Sequence, residues 1–263
     1  VLERLYRDPP GAGRRPTEED AGRWVEAAGE LSRVVAAERE WDLGSSQARI
    51  RLSRTDALIA RFLRRDAATG GPMEPGPELL EVTFGSGEED QHPPARLSGF
   101  SLHGRIDRID VAGPRALIRD YKLSSSAVAA KRLIDEGKLQ MPLYLLAARS
   151  FGLDPVGGLY SPLGATKDDR PRGLMRKELK GELLPGATAD AVSTDFLEDE
   201  DFEEILERAE ARASEIVDGM RAGRIDRDPR GDECPTWCAM APICRIERGV
   251  AIEDPEAEED AAA

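Results

Sequence analysis

Alternating apolar and polar positions predict two neighbouring strands near the middle of the chain. Residues 104–110 and 116–122 are both rich in Ile, Val and Leu, with polar residues between them. Residues 112–115 include Gly113 and Pro114, which favour a tight turn. The pattern therefore predicts an antiparallel hairpin in which Val111 pairs with Ala116.

Other periodicities place helices and further strands around this hairpin. Helices are predicted at residues 17–41, 46–68, about 139–150 and 200–222, and strands at 79–84, 156–162 and 173–183. Loops are predicted at 70–77 and 88–94. The last helix is acidic, and its apolar face comprises Phe202, Ile205, Leu206, Ala209, Ile216 and Met220. Strands flanked by helices predict an α/β fold.

The predicted register of the hairpin brings two carboxylates together. If Val111 pairs with Ala116, the ladder also pairs Asp107 with Asp120. Directly opposed residues point to one face, with Cβ atoms about 5 Å apart. Carboxylates so placed repel each other unless a divalent cation lies between them. Lys122 follows Asp120 by two residues, so its side chain points to the same face.

Two carboxylates beside an ammonium suit metal-assisted hydrolysis of phosphodiesters. Mg²⁺ prefers hard oxygen ligands and often takes one or two protein carboxylates. Such a cation polarises a phosphoryl oxygen and lowers the pKa of bound water. Lys122 would orient that water or stabilise charge on the phosphate. The charge pattern is equally compatible with a surface hairpin whose Asp and Lys side chains are simply solvated.

Three motifs follow one another along the chain. They are Gly104-Arg105-Ile106-Asp107-Arg108-Ile109-Asp110, then Asp120-Tyr121-Lys122, then Gln140-Met141-Pro142-Leu143-Tyr144. This ordered set resembles the RecB-like branch of the PD-(D/E)XK nuclease superfamily. The resemblance implies a restriction-endonuclease-like core, with a mixed central sheet flanked by helices. It also implies that Asp107, Asp120 and the Tyr121 carbonyl bind Mg²⁺ or Mn²⁺, and that Lys122 is the catalytic lysine.

Three more residues are candidates for the same site. Gln140 and Tyr144 are four residues apart, so on a helix they share one face. The resemblance implies that they contact a DNA phosphate or support the metal ligands. Without it, the favoured interpretation is a helix-start glutamine and an aromatic residue at the core edge. Glu81, in the strand before the hairpin, is implied as a third acidic metal ligand.

Three cysteines, Cys234, Cys238 and Cys244, cluster near the C-terminus. Without a secretory signal, clustered thiols bind metal more often than they form disulfides, and thiolates suit iron–sulfur clusters or zinc. The resemblance implies a [4Fe–4S] cluster. Two departures are the three-residue gap between Cys234 and Cys238, where two is more familiar, and the lack of a fourth Cys. Zinc with a different fourth ligand and buried free thiols are the alternatives.

The expected organisation has four parts. They are an N-terminal helical part of the nuclease domain (1–77), its core (78–225), the Cys-rich segment (226–248) and an acidic disordered tail (249–263). Residues 1–6 resemble the middle of a helix. We therefore expect this chain to be the C-terminal portion of a longer polypeptide, which supplies the fourth Cys from outside the chain.

Net charge is the compositional property that bears most on function. The chain of 263 residues is 40% hydrophobic and carries a net charge of −14, which disfavours DNA binding because that binding depends on cations. Much of the acidity is local, at 195–207 and 253–260. Cations near the predicted site are Arg105, Arg108, Arg119, Lys131 and Arg132. We expect these cations to make a DNA channel positive, or partner domains to do so.

The function that best fits is a Mg²⁺-dependent deoxyribonuclease, an exonuclease rather than an endonuclease. The resemblance implies the C-terminal nuclease domain of a RecB- or AddB-like helicase–nuclease subunit in double-strand-break repair and recombination. Its expected partners are DNA and helicase domains or a helicase–nuclease partner subunit, in the cytoplasm and away from membranes. The alternatives are a stand-alone exonuclease related to CRISPR-associated nucleases, and a non-catalytic module of the same fold. The intact Asp, Asp and Lys set favours an enzyme.

Overall fold

The computed structural model of the chain describes residues 1–87, 90–123, 129–164, 171–181 and 193–224. The chain divides into two compact units, Val1–Glu215 and Ile216–Ala263. In the second unit, the described residues are the end of a helix and the short turn that follows it. The predicted features at Cys234, Cys238, Cys244 and in the acidic tail lie outside the described residues.

The predicted helices are confirmed. Over the described ranges, the α-helices are α1 (Leu2–Arg7), α2 (Ala21–Glu38), α3 (Ser46–Thr69), α4 (Gln140–Ser150) and α5 (Asp199–Arg221). The Ser45 side chain accepts a hydrogen bond from the backbone N–H of Ala48 and so caps α3. Pro142 lies in the first turn of α4, where its missing N–H breaks no helical hydrogen bond.

A six-stranded mixed sheet forms the centre of the first unit. The strands of this sheet and of a separate two-stranded hairpin are, in chain order, β1 (Glu74–Phe84), β2 (Ala95–Leu97), β3 (Phe100–Leu102), β4 (Gly104–Ala112), β5 (Arg115–Lys122), β6 (Asp154–Pro162), β7 (Arg172–Arg176) and β8 (Phe196–Leu197). The sheet order is β1-β4-β5-β6-β7-β8, and β2 and β3 form a separate hairpin. The strands β5 and β6 are parallel because α4 connects them. The expected α/β fold, a mixed sheet flanked by helices, is therefore confirmed.

The predicted hairpin has the predicted register. Val111 pairs with Ala116 and Ile109 with Ile118 between β4 and β5. The turn is shorter than expected, since Ala112 and Arg115 also pair and leave Gly113 and Pro114 between them. Gly113 has φ +61°, a conformation that glycine adopts without strain. The strand ends that carry the candidate site are therefore fixed by a tight local turn.

Two predicted boundaries are wrong. The strand β1 begins at Glu74, inside the loop predicted at residues 70–77. Its Pro75 is tolerated because β1 lies at the edge of the sheet, where a ladder hydrogen bond is not required on one side. The strand β7 ends at Arg176, and a 3₁₀ turn, Lys177–Leu179, replaces the predicted continuation of the strand.

Apolar side chains pack on both faces of the sheet. On one face, the core includes Ile109 and Ile118 of the hairpin, Met141 and Leu145 of α4 and Phe202 of α5. On the other face, α1, α2 and α3 contribute Leu5, Tyr6, Trp24, Phe62 and Leu63. Two residues predicted for the apolar face of α5 are instead exposed, Ile216 at 43% and Met220 at 68%.

A buried ionic network joins the sheet to α3. The Arg108 guanidinium contacts Asp66 at 2.9 Å and also pairs with Asp110. Asp110 also pairs with Arg119 at 2.6 Å. The hydroxyl of Tyr6 donates a short hydrogen bond to Asp66. All five side chains are almost completely buried, so each charge depends on the others for compensation.

Candidate active site

Three polar side chains meet at the carboxyl end of β5 and the start of α4. Lys122 Nζ lies 2.6 Å from Asp120 Oδ2 and 2.9 Å from Gln140 Oε1. The amide nitrogen of Gln140 donates to Asp120 Oδ1 at 3.1 Å. Asp120 and Lys122 share a face of β5, as predicted. The first turn of α4 therefore closes a ring of contacts around the Asp120 carboxylate.

Two tyrosines border this ring. Gln140 Nε2 lies 3.2 Å from the hydroxyl of Tyr144, one turn further along α4. Tyr160 lies beside Asp120 in the parallel register of β6, and its ring centroid is 5.5 Å from Lys122 Nζ. The Tyr160 hydroxyl accepts a hydrogen bond from the backbone N–H of Met141. Burial raises the pKa of Tyr160 to about 12, so the hydroxyl stays protonated at neutral pH.

Asp107 of β4 is linked to β5 by a hydrogen bond with the backbone. Its Oδ2 accepts a hydrogen bond from the Tyr121 N–H at 2.8 Å. The β4–β5 ladder ends with Arg108 and Arg119, one residue before the expected pairing of Asp107 with Asp120. The Asp107 carboxylate therefore takes up a backbone donor at the end of the ladder.

The alternation of side chains between the two faces of β1 breaks at Glu81, which lies opposite Asp107 of β4 in the register. The register pairs Leu80 with Arg108 and Val82 with Ile106, which puts Glu81 opposite Asp107. Leu80 packs with the α1–α3 layer, whereas Val82, two residues later, packs in the core beneath α4. Glu81 has φ +53°, an uncommon conformation for a residue with a side chain. Irregular strands next to active sites often redirect a side chain.

Burial and mutual repulsion both act on these carboxylates. Burial raises the pKa of Asp107, the Tyr121 N–H opposes that rise, and the negative charge of Asp120 adds to it. Burial also raises the pKa of Glu81; the cation of Arg105 lowers it, and Asp107 raises it again. Carboxylates that raise one another's pKa favour binding of a cation, which would relieve the repulsion.

The donor set fits a hard divalent cation at Asp107 and Asp120. Both offer carboxylate oxygens, and Mg²⁺ commonly uses one or two such protein ligands. Glu81 is instead 3.0 Å from Arg105 Nε. Within the described ranges, no group of three His, Cys, Asp or Glu side chains is close enough to hold a metal. The expected third ligand is therefore not gathered with the other two.

Sequence reasoning misses one residue of the site and one contact. Arg105 is expected near the site as a cation, but its pairing with Glu81 is not predicted. Tyr160 carries no signal in the sequence, because its place depends on the parallel pairing of β5 with β6.

The expected positive surface around the site is wrong for two of its five residues. Arg108 and Arg119 are 0% and 3% exposed, and both serve the ionic network on the opposite face of the sheet. The other three are paired with acidic residues: Arg105 with Glu81, Lys131 with Asp201, and Arg132 with Glu136. The five residues therefore do not form a surface of exposed, unpaired cations beside the site.

No helix among the described residues is both long and apolar enough to cross a membrane.

Comparison with known proteins bears out the resemblance. The curated relatives include a protein from Moorella thermoacetica that is named as a subunit of an ATP-dependent helicase/deoxyribonuclease and is 28% identical over 283 aligned positions. The alignment covers 84% of this chain and 24% of the relative, so the chain spans about a quarter of that protein's length. The family model of the PD-(D/E)XK nuclease superfamily matches residues 1–245. Since that match covers nearly the whole chain, the chain belongs to the PD-(D/E)XK nuclease superfamily.

Proposed function

We propose that this chain is a divalent-metal-dependent deoxyribonuclease domain that hydrolyses phosphodiester bonds. The observation that carries the proposal is the meeting of Asp120, Lys122 and Gln140 beside Asp107, in a chain of a nuclease superfamily. Asp120 and Lys122 at the end of β5, Gln140 at the start of α4, and Asp107 of β4, which accepts a hydrogen bond from the Tyr121 N–H, support this proposal.

Asp107 and Asp120 would hold the cation, with the carbonyl of Tyr121 as a further oxygen ligand. A bound Mg²⁺ or Mn²⁺ supplies Lewis-acid polarisation of the phosphate and a more acidic water. Lys122 would orient that water and stabilise charge developing on the phosphate oxygens. Gln140 holds the Lys122 ammonium and Asp120 together, and Tyr144 holds Gln140. Glu81 would become a third ligand if its carboxylate left Arg105 and bound the cation instead.

The proposal extends to the setting of the domain. A relative that belongs to a helicase/deoxyribonuclease and is far longer than this chain supports attachment to helicase domains or to a partner subunit. Action in double-strand-break repair and recombination would follow. The rival from another class is a non-catalytic module that binds DNA ends or a partner.

Lys122→Ala and Asp120→Asn are the variants that test catalysis. Purified chain is incubated with end-labelled linear DNA and MgCl₂, with EDTA as the metal-free reaction. We expect both variants to lose cleavage by at least about 100-fold, because Lys122→Ala removes a cation that would act on the reacting phosphate and Asp120→Asn weakens a proposed ligand of the metal ion. Asp135→Asn is the matched control, because Asp135 is an exposed carboxylate paired with Arg208.

Cleavage by Lys122→Ala at the unaltered rate would overturn the assignment. An unaltered chain that binds DNA without cutting it under any divalent cation would favour the non-catalytic module. Exonuclease action is tested with circular single-stranded DNA. We expect the circle to survive while linear DNA of the same sequence is degraded.

The Cys-rich segment adds a second proposed cofactor, on the sequence alone. Cys234, Cys238 and Cys244 would supply three thiolates to an iron–sulfur cluster whose fourth Cys lies outside this chain. Iron content and visible absorbance of the anaerobically purified longer polypeptide test this, and zinc alone would count against it. This part stays a prediction.

A further inference from the structure

Helix α3 is strongly basic in an acidic chain. It contains six arginines and two aspartates, whereas α5 contains nine acidic residues and three arginines. One of the two aspartates, Asp66, is buried in the ionic network with Arg108. The positive charge of α3 is therefore largely uncompensated within the helix itself.

Contacts with the sheet define how α3 runs past the candidate site. Asp66 lies beside Arg119 of β5, at 3.8 Å. Four residues earlier in α3, the ring of Phe62 packs edge-on against Tyr121, with centroids 5.2 Å apart. From Asp66 toward its N-terminus, α3 therefore runs along β5 in the direction of Lys122.

Contacts of Arg61 show which part of α3 lies beside the end of β5. Its guanidinium donates to the carbonyl of Leu163 at 2.8 Å, and the Leu163 N–H donates to the Lys122 carbonyl at 2.7 Å. Residues 46–58 of α3 therefore continue beyond the strand end that carries Lys122. At 1.5 Å per residue, Arg54 is about 10 Å and Arg49 about 18 Å past Arg61. We name residues 46–58 the arginine arm.

The arginine arm exposes cations beyond the level of the strand end that carries Lys122. Arg49, Arg51 and Arg54 are all exposed, and the arm's one acidic residue is Asp56. Among the described residues, none of the three arginines has a carboxylate within 4.0 Å: Arg49 donates to the Gly44 carbonyl and Arg51 stacks over Trp41. Unpaired guanidinium groups of this kind suit phosphate oxygens.

The geometry points to the arginine arm as the surface that holds the DNA backbone as it leads into the site. This inference rests on the proposed function and specifies where the cations for DNA lie, given that those close to the site are buried or paired. Arg51 and Arg54, three residues apart and so on one side of α3, contact phosphates of the strand whose end lies near Lys122, and Arg49 adds positive charge from another side of the helix. Phosphate contacts of this kind position nucleic acid without reading its sequence.

A protein partner is the competing occupant of the arm. Ile50 is 54% exposed on the arm and Val34 of α2 is 50% exposed, and apolar residues of this kind fit a protein interface. Isolated exposed apolar residues are, however, ordinary on protein surfaces, whereas the positive charge of the three arginines is complementary to a phosphate backbone. The balance favours DNA.

The test compares two triple variants of the full chain. Arg49→Gln/Arg51→Gln/Arg54→Gln neutralises the arm; Arg96→Gln/Arg208→Gln/Arg212→Gln neutralises three exposed arginines of β2 and α5 as the matched control. Binding of fluorescent DNA is measured by anisotropy in EDTA, so that no cleavage occurs, between about 50 and 200 mM salt. Circular dichroism melting checks that each variant is folded.

The arm variant should bind DNA at least about tenfold more weakly. The slope of log K against log salt should become shallower by about 2 to 3, since each phosphate contact on duplex DNA contributes about 0.9. With Mg²⁺, KM should rise by the same factor while kcat is unchanged. The control variant should match the unaltered chain, and Arg49→Lys/Arg51→Lys/Arg54→Lys should keep the slope.

An arm variant with unaltered affinity and salt slope would overturn the inference, as would an equal loss in the control variant. If the arm variant binds DNA normally but its mass in light scattering differs from that of the unaltered chain, the arm contacts protein instead. Failure of the proposed function gives a different result: the unaltered chain fails to cut DNA, while the effect of the arm on binding remains.

Discussion

Lys122 Nζ and Gln140 Oε1 lie 2.9 Å apart, so the first residue of α4 holds the ammonium at the end of β5. The same Gln140 side chain donates its amide hydrogens to Asp120 and Tyr144. One amide thus orients a cation and a carboxylate at once. An amide can do this because it has an acceptor at one atom and donors at the other.

Gln140→Ala should lower the rate of DNA cleavage by about 10–100-fold, the usual range for a residue that orients metal ligands. It should leave the melting temperature nearly unchanged, because Gln140 is exposed. Single-turnover cleavage under saturating Mg²⁺ measures the effect. Tyr144→Phe is the milder comparison, since it removes one partner of Gln140 and leaves the contacts with Lys122 and Asp120. A Gln140→Ala protein as active as the unaltered chain would contradict the positioning role.

Glu81 combines a candidate ligand with a strained backbone, and a pair of variants separates the two. Glu81→Gly and Glu81→Ala both remove the carboxylate. The Gly variant should be more stable than the Ala variant by about 1 kcal/mol, because φ +53° is unfavourable for any residue with a Cβ atom. Urea unfolding gives this difference. Mg²⁺-dependent cleavage should fall to the same extent in both if Glu81 binds the cation during turnover, and an unchanged rate in both would remove Glu81 from the site.

The β4–β5 hairpin is predictable because its determinants are local. Gly113 and Pro114 fix the turn, and the turn fixes the register that brings the ends of both strands together. The spacing of Gln140 and Tyr144 likewise predicts their shared helical face. What periodicity cannot supply is the break at Glu81, because the alternation there depends on how two strands pack against different layers.

Burial of charge is the larger error of the sequence-based prediction, and it has a physical cause. Arg108 lies in β4 and Arg119 in β5, and the sequence pattern suggests solvent exposure for both arginines. Part of their compensation comes from Asp110 of β4 and part from Asp66, which lies 42 residues before Arg108 in the chain. A tertiary ion pair of that kind is invisible until α3 is docked on the sheet. The sequence pattern consequently points to cations beside the site and not to those on α3.

Arg108→Met should be severely destabilising. Removing the guanidinium leaves Asp66 and Asp110 buried without their main partner, and breaking a buried pair from one side costs about 3–5 kcal/mol. The variant also loses the stacking of Arg108 over the ring of Tyr6, 4.2 Å from its centroid. Urea denaturation of the purified chain gives the loss. Arg208→Met is the surface control, expected within about 1 kcal/mol of the unaltered chain because its pair with Asp135 is exposed.

Acid should weaken the same network through Asp66. Burial disfavours its carboxylate, but the cations of Arg108, Arg119 and Arg15 outweigh burial and lower the pKa of Asp66 from its ordinary value of 3.8 to about 2. A depressed folded-state pKa stabilises the fold above the unfolded value of 3.8 and loses that stabilisation as pH falls toward 2.

The corresponding measurement is urea unfolding of the unaltered chain and of Asp66→Asn at several pH values. The stability difference between them should shrink by about 2 kcal/mol as the pH falls from about 5 to 2, since one pKa unit corresponds to about 1.4 kcal/mol. Most other titrating carboxylates are common to both proteins and cancel in the comparison. A difference that stays constant over this range would show that Asp66 is not held ionised by Arg108 and Arg119.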